Sequence, residues 1–249
     1  MHTEDAELGV YLAQQFNDGA AEMIAAYPKR FTGIAVLPLQ DPAASVLELE
    51  RAITQLDLRG GALFTNINGQ PIDDPVYRPL FEKAIELEIP LWLHPTTPPN
   101  LGLMADYKLV VTNGFMFETT VAVSRLIFSG MLEQHPGLKL VLSQMGGTLP
   151  FIAERIERGY QIYADCRSNI SISPTEQLKS LWYDTTPGTP LAIQFTAAFV
   201  GTERLMMGSD FPQGFGGLSE TIQTIHSLDL NDEAKAAIMG GNARRLLKI

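Results

Sequence analysis

Short apolar runs alternate with longer stretches of helical periodicity along almost the whole chain. Leu8, Tyr11, Leu12, Phe16, Met23 and Ile24 recur at helical spacings between the acidic Glu4-Asp5 and Pro28, which predicts an opening helix. FTGIAVL at 31–37 then reads as a buried strand stopped by Pro38. Pro42 opens a helix with Val46, Leu47, Leu49, Ala52 and Ile53 along one side. A second strand is expected at 60–64, running into a turn-rich stretch at 65–69, and a helix over 76–87 leads to a third strand at 89–93. Residues 100–113 read as an irregular loop. The spacing predicts a long helix over 116–132 with Val121, Leu126, Ile127 and Leu132 buried, and then a fourth strand at 138–142. A helix at 149–163, a short fifth strand at 181–183, a helix at 190–200 and a sixth strand opening at Leu205 continue the repeat. Helices near 218–227 and 232–247 close it.

Strands of this kind, alternating with amphipathic helices and with no Gly/Ser linker, predict one parallel α/β domain over residues 1–249. The length matches the ~250 residues of a closed TIM-type (β/α)8 barrel. Only six strands are legible, and the first element is a helix that should have followed a strand. The expectation is an incomplete barrel, truncated at its N-terminal side, with two exposed parallel edges.

Composition narrows the function classes. The chain is 45% hydrophobic, with 18 basic and 28 acidic residues and a formal charge of −10. No Lys/Arg stripe is present to hold phosphates, which argues against a nucleic-acid partner. No apolar run is long enough to span a membrane and no secretory leader is evident. The single cysteine, Cys166, excludes an internal disulfide and fits a reducing compartment, so a soluble cytoplasmic protein is expected.

In a β/α barrel the C-terminal strand ends gather in one mouth. The strand ends here carry Pro38-Leu39-Gln40, Asn66-Ile67-Asn68, His94-Pro95, Gln144-Met145-Gly146-Gly147, Asp184-Thr185 and Asp210-Phe211-Pro212. His and Asp are zinc-type ligands. Alone, His94 reads best as a structural histidine and Asp210 as a cap. Together, at equivalent places on two strands, they read best as ligands. His135, at a helix end, His226 and His2 are expected on the surface. Gly146-Gly147 is read as a tight strand-to-helix turn, and Glu118 and Arg125, seven residues apart on one helix, as structural ion-pair partners.

Five motifs in order, FTGIAVLPLQ at 31–40, LWLHP at 91–95, QMGGTLP at 144–150, GSDFP at 208–212 and GNARRL at 241–246, resemble the amidohydrolase-related family of metal-dependent barrels. The resemblance covers the chain from about Leu8 onward. It points to the branch of aminocarboxymuconate semialdehyde decarboxylase and γ-resorcylate decarboxylase. It implies one divalent metal, zinc or manganese, with His94 and Asp210 as ligands, a small carboxylic acid as substrate, and possible homodimers. Two departures stand out. The His-x-His (or Glu-x-His) of the family's first strand is absent, and the family's acid/base histidine is Gln144 here. An amide cannot exchange a proton near neutrality.

The reading is therefore a metal-dependent amidohydrolase-like enzyme, with nonoxidative decarboxylation of a small aromatic or unsaturated acid as its reaction and Asp210 and Gln144 at the catalytic positions. Hydrolysis of a lactone or amide, with Asp210 as base, is the enzymatic alternative. A catalytically inactive fragment or binding module of the same fold is the alternative outside enzymology.

Overall fold

The computed structural model describes residues 5–214 and 216–249. Its centre is a parallel sheet of β1 (Gly61–Phe64), β4 (Pro90–His94), β5 (Lys139–Leu142), β6 (Trp182–Asp184) and β7 (Leu205–Met206), with neighbours in that order. The strands β2 (Asn66–Ile67) and β3 (Gln70–Pro71) form a separate antiparallel hairpin beyond β1. Each connection between sheet neighbours carries at least one helix, so the sheet is an arc of a TIM-type β/α barrel. The register pairs Phe64 with His94, Leu93 with Leu142, and Asp184 with Met206, which brings the C-terminal strand ends to one rim.

Strand alternation divides the side chains between two faces. Leu91, Leu93, Leu140, Leu142, Tyr183 and Leu205 are buried in the main core with helix residues such as Leu49, Leu80, Phe81 and Leu126. Burial of each such side chain contributes about 1.5–3 kcal/mol. Trp92, Val141, Trp182 and Met206 form a second cluster, closed by Ala243 and Leu246 of the terminal helix. The guanidinium groups of Arg204 and Arg245 lie 5.0 and 5.5 Å from the Trp182 ring. Helix starts obey the local sequence: Asp41, Ser173 and Thr189 each accept a backbone N–H three residues on, and each precedes a proline at the first helical position.

The structure corrects several expectations. Residues 31–37 do not form a full strand: Ala35 makes a single parallel bridge to Gly61, and the Gly33 carbonyl accepts the Arg59 N–H. The expected loop at 100–113 contains a 3-10 turn, Gly102–Met104, and a π-helical turn, Val110–Gly114. The next helix is Phe115–Phe128. It breaks at Gly130, where φ is +79°, before the short helix Met131–Gln134. Val121 is exposed rather than buried, as are Leu8, Tyr11, Phe16 and Met23 of the opening helix Ala6–Ala26, which instead buries Gly9, Ala13 and Asn17. His135 is buried: its Nδ1 lies 2.7 Å from the Met131 carbonyl and its ring packs on Phe81. Arg125 pairs with Asp73, and Glu118 accepts a hydrogen bond from Asn66, so these two helix residues serve other elements. His2 lies outside the described residues.

Both edges of the arc are covered by helix side chains. Asn17, fully buried, places its amide against Val36: the Val36 N–H donates to Asn17 Oδ1 at 2.8 Å, and Asn17 Nδ2 donates to the Val36 carbonyl at 2.9 Å. One amide thus supplies Val36 with the two bonds that a strand on its outer side would give. The same Nδ2 donates to Glu48, which also pairs with Arg51. At the opposite edge, the equally buried Asn242 donates to the carbonyls of Leu205 and Thr202, and the Met207 N–H donates to the Ile238 carbonyl. At each edge these bonds occupy outward backbone groups that another strand would otherwise use.

Candidate active site

His94 closes β4. Its Nδ1 is 2.7 Å from the Pro95 carbonyl. A carbonyl only accepts, so Nδ1 carries the proton and Nε2 is left with a free lone pair. Phe115 meets the ring edge-on at 6.1 Å and fixes its plane. A histidine held through one nitrogen so that the other faces a cavity is the arrangement metal ligands adopt.

Gln144 comes after β5 in a turn with an unusual backbone. Gln144, Met145, Gly146 and Gly147 have φ of +53°, +55°, +73° and +66°. The glycines adopt this region without penalty, whereas Gln144 and Met145 each cost about 1–2 kcal/mol. Asp184, at the end of β6, lies beside that turn: its carboxylate accepts the Thr186 N–H at 3.0 Å and is near enough to the backbone N–H groups of Gln144 and Met145 for them to favour its charged form. Gly147 has no room for a side chain, since a Cβ there would sit 2.3 Å from the Met116 carbonyl. The next residue, Thr148, is bonded to Thr120 of the same helix as Met116. The paired glycines therefore make the tight turn expected of them.

Burial pushes the Asp184 carboxyl up to about 7, against the lowering effect of its three N–H donors, and the nearby Asp210 carboxylate adds to the rise. Asp210 lies beyond β7 with φ +53°, ahead of a cis Phe211-Pro212 bond, and its carbonyl accepts the Gln213 N–H.

His94, Gln144 and Asp210 line one cavity of about 620 Å³, walled by Val111, Phe115, Met116, Pro187, Phe211 and Pro212. Asp184 lies beneath the Gln144 turn and not on that wall. A more open hollow of about 420 Å³, beside Asn66, Pro98, Phe117 and Glu118, contains none of the expected site residues. Gln144 is only 7% exposed, and its Oε1 has no hydrogen-bond partner among the described residues.

No group of three His, Cys, Asp or Glu side chains suited to a metal exists among the described residues. The cavity holds two side chains of those types, His94 and Asp210, together with one buried amide oxygen, Gln144 Oε1, that lacks a partner. Asp184 is visible among the strand-end residues, but its role is not, because the turn it holds comes from another strand.

A family model described as amidohydrolase matches residues 4–249. The chain belongs to the amidohydrolase family. Among the family's characterised proteins, 2-amino-3-carboxymuconate-6-semialdehyde decarboxylase of Dictyostelium discoideum is 33% identical over 239 residues, or 95% of this chain. The chain spans 66% of that relative's length. The crystal structure of 5-carboxyvanillate decarboxylase from Sphingomonas paucimobilis superposes with a TM-score of 0.92 at 30% identity, covering 98% of this chain and 75% of that one. A dihydroxybenzoic acid decarboxylase from a Polaromonas species, with bound manganese and the inhibitor 2-nitroresorcinol, superposes with a TM-score of 0.89 at 27% identity, covering 98% and 77%. These amidohydrolase relatives are enzymes that decarboxylate carboxylic acids, and the last of them binds a divalent metal. No helix among the described residues is long and apolar enough to cross a membrane.

Proposed function

We propose that this chain forms, as a single domain, the greater part of a metal-dependent decarboxylase barrel acting on a small hydroxylated aromatic or unsaturated carboxylic acid. The observation that carries this reading is one cavity lined by both a pinned His94 and Asp210 among aromatic and apolar walls. Its volume falls in the ~300–1,000 Å³ range of small-molecule sites.

His94 and Asp210 would hold the ion, manganese rather than zinc, as in the Polaromonas relative. A divalent ion, when bound, polarises carboxylate and hydroxyl oxygens. The chain's own contributions are positional. Phe115 and Phe211 give the cavity aromatic walls, the Pro95 carbonyl orients the His94 ring through Nδ1, and the turn after β5 keeps Gln144 at the wall. Gln144 cannot deliver a proton, so general-acid help worth about 10²–10⁴-fold is missing from this position. The same reading includes a cytoplasmic location, suited to the single thiol, and a homodimer, which light scattering would detect.

The test is CO₂ release from 5-carboxyvanillate and related hydroxybenzoates by the manganese-loaded protein, beside His94→Ala. Slow turnover by the wild type and none by the variant would support the reading. Absence of both turnover and metal uptake in the wild type would favour an inactive binding module of the same fold.

A further inference from the structure

We infer that Gln144 is the third protein ligand of the cation, donating its side-chain oxygen beside His94 Nε2 and Asp210. The assignment rests on the metal-dependent reading above and goes beyond it, because it gives the glutamine a coordinating role in place of a proton-transfer role.

Three independent features converge on this oxygen. It belongs to a side chain that is 93% buried, the complement of its 7% exposure, yet Oε1 meets no donor among the described residues. Leaving a buried acceptor unsatisfied is costly, and a cation in the adjoining cavity would relieve that cost; the buried oxygens of Gln40 and Gln177 also lack partners, but neither lines this cavity. The residue lines the same cavity as His94 and Asp210, and no lysine or arginine among the described residues lines it with them to take that role. Finally, the backbone of Gln144 lies in the left-handed region, a local strain of the kind retained at functional sites.

A set of one imidazole nitrogen, one carboxylate oxygen and one amide oxygen is harder than the His/Cys sets typical of zinc. It suits manganese or magnesium, which also accept several waters. The remaining coordination positions are then open to water or to substrate oxygens.

The experiment is Mn²⁺ binding, followed by loss of the free-ion electron paramagnetic resonance signal and by calorimetry, on the full chain. Gln144→Gly removes the oxygen while suiting the positive φ, so the turn is retained. Gln144→Glu keeps an oxygen and adds charge. We expect one Mn²⁺ per wild-type chain. In Gln144→Gly its affinity should fall by at least the ~10–100-fold typical of losing an outer-sphere partner. In Gln144→Glu it should equal or exceed that of the wild type. Unchanged affinity in Gln144→Gly, with binding abolished in His94→Ala, would overturn the assignment and leave the metal reading intact. No uptake by the wild type would overturn both.

Discussion

Replacing Asp184 with asparagine should flatten the dependence of stability on pH. Burial raises the carboxyl of Asp184 to about 7, from an ordinary value of 3.8 in the unfolded chain. Between those two values the folded protein holds a proton that the unfolded chain has released. The stability contributed by this group is therefore complete below pH 3.8 and is lost progressively as pH rises to about 7, beyond which it is level. A difference of some three pH units corresponds to roughly 4 kcal/mol at most, since each unit is 1.36 kcal/mol. Residual solvent contact and coupling to Asp210 reduce this to about 2–3 kcal/mol. Urea unfolding at pH 5 and pH 8, with chelator present, measures it. Glu88, lowered by the ammonium of Lys248, and Glu133, lowered by the hydroxyl of Ser171, are already ionised throughout that window and do not contribute to the slope. About two of those pH units lie above pH 5, so the wild type should lose about 1–2 kcal/mol more than Asp184→Asn between the two pH values. Equal losses in the two proteins would refute the reasoning.

The other expectations concern the sheet edges, the turn and the cavity. Asn242→Ala should lower stability by about 2–4 kcal/mol in denaturant unfolding, because the carbonyls of Leu205 and Thr202 lose their shared donor. Asn17→Ala should cost a similar ~2–4 kcal/mol and should also promote concentration-dependent association through the uncovered Val36 edge, visible by light scattering. Gly147→Ala should destabilise by at least ~1–3 kcal/mol, since its Cβ would strike the Met116 carbonyl, and a thermal melt reads this directly. His94→Ala should abolish any thermal shift given by Mn²⁺, whereas His135→Ala should lower stability without touching that shift.

Much of the arc was legible because strand ends and helix starts carry local signals. The helices at Pro42, Pro174 and Pro190 begin at side-chain caps next to proline, and the apolar runs ending in His94, Gln144 and Asp210 do reach one rim. What failed depended on partners distant in sequence. Residues 31–37 have strand composition, but their pairing with β1 stops after Ala35, and on the outer side the Asn17 amide takes the place of a strand at Val36. His135 reads as a polar helix end until Phe81 and the Met131 carbonyl enclose it. Asp184 stands in plain view at a strand end. Its value comes from the N–H groups of Gln144 and Met145, which no spacing along the chain connects to it.

The absence of a side chain at Gly147 has a mechanical consequence. Because the turn presses directly on the Met116 carbonyl, and Thr148 is bolted to Thr120 of the same helix, the floor and one wall of the cavity are geared together. Phe115 and Met116 lie on that wall, and Gln144 begins that turn. A ligand that pushes the wall outward must drag the turn with it. Filling the apolar side of the cavity is thereby expected to shift the Gln144 side chain on the other side, which a ligand-bound crystal structure would show.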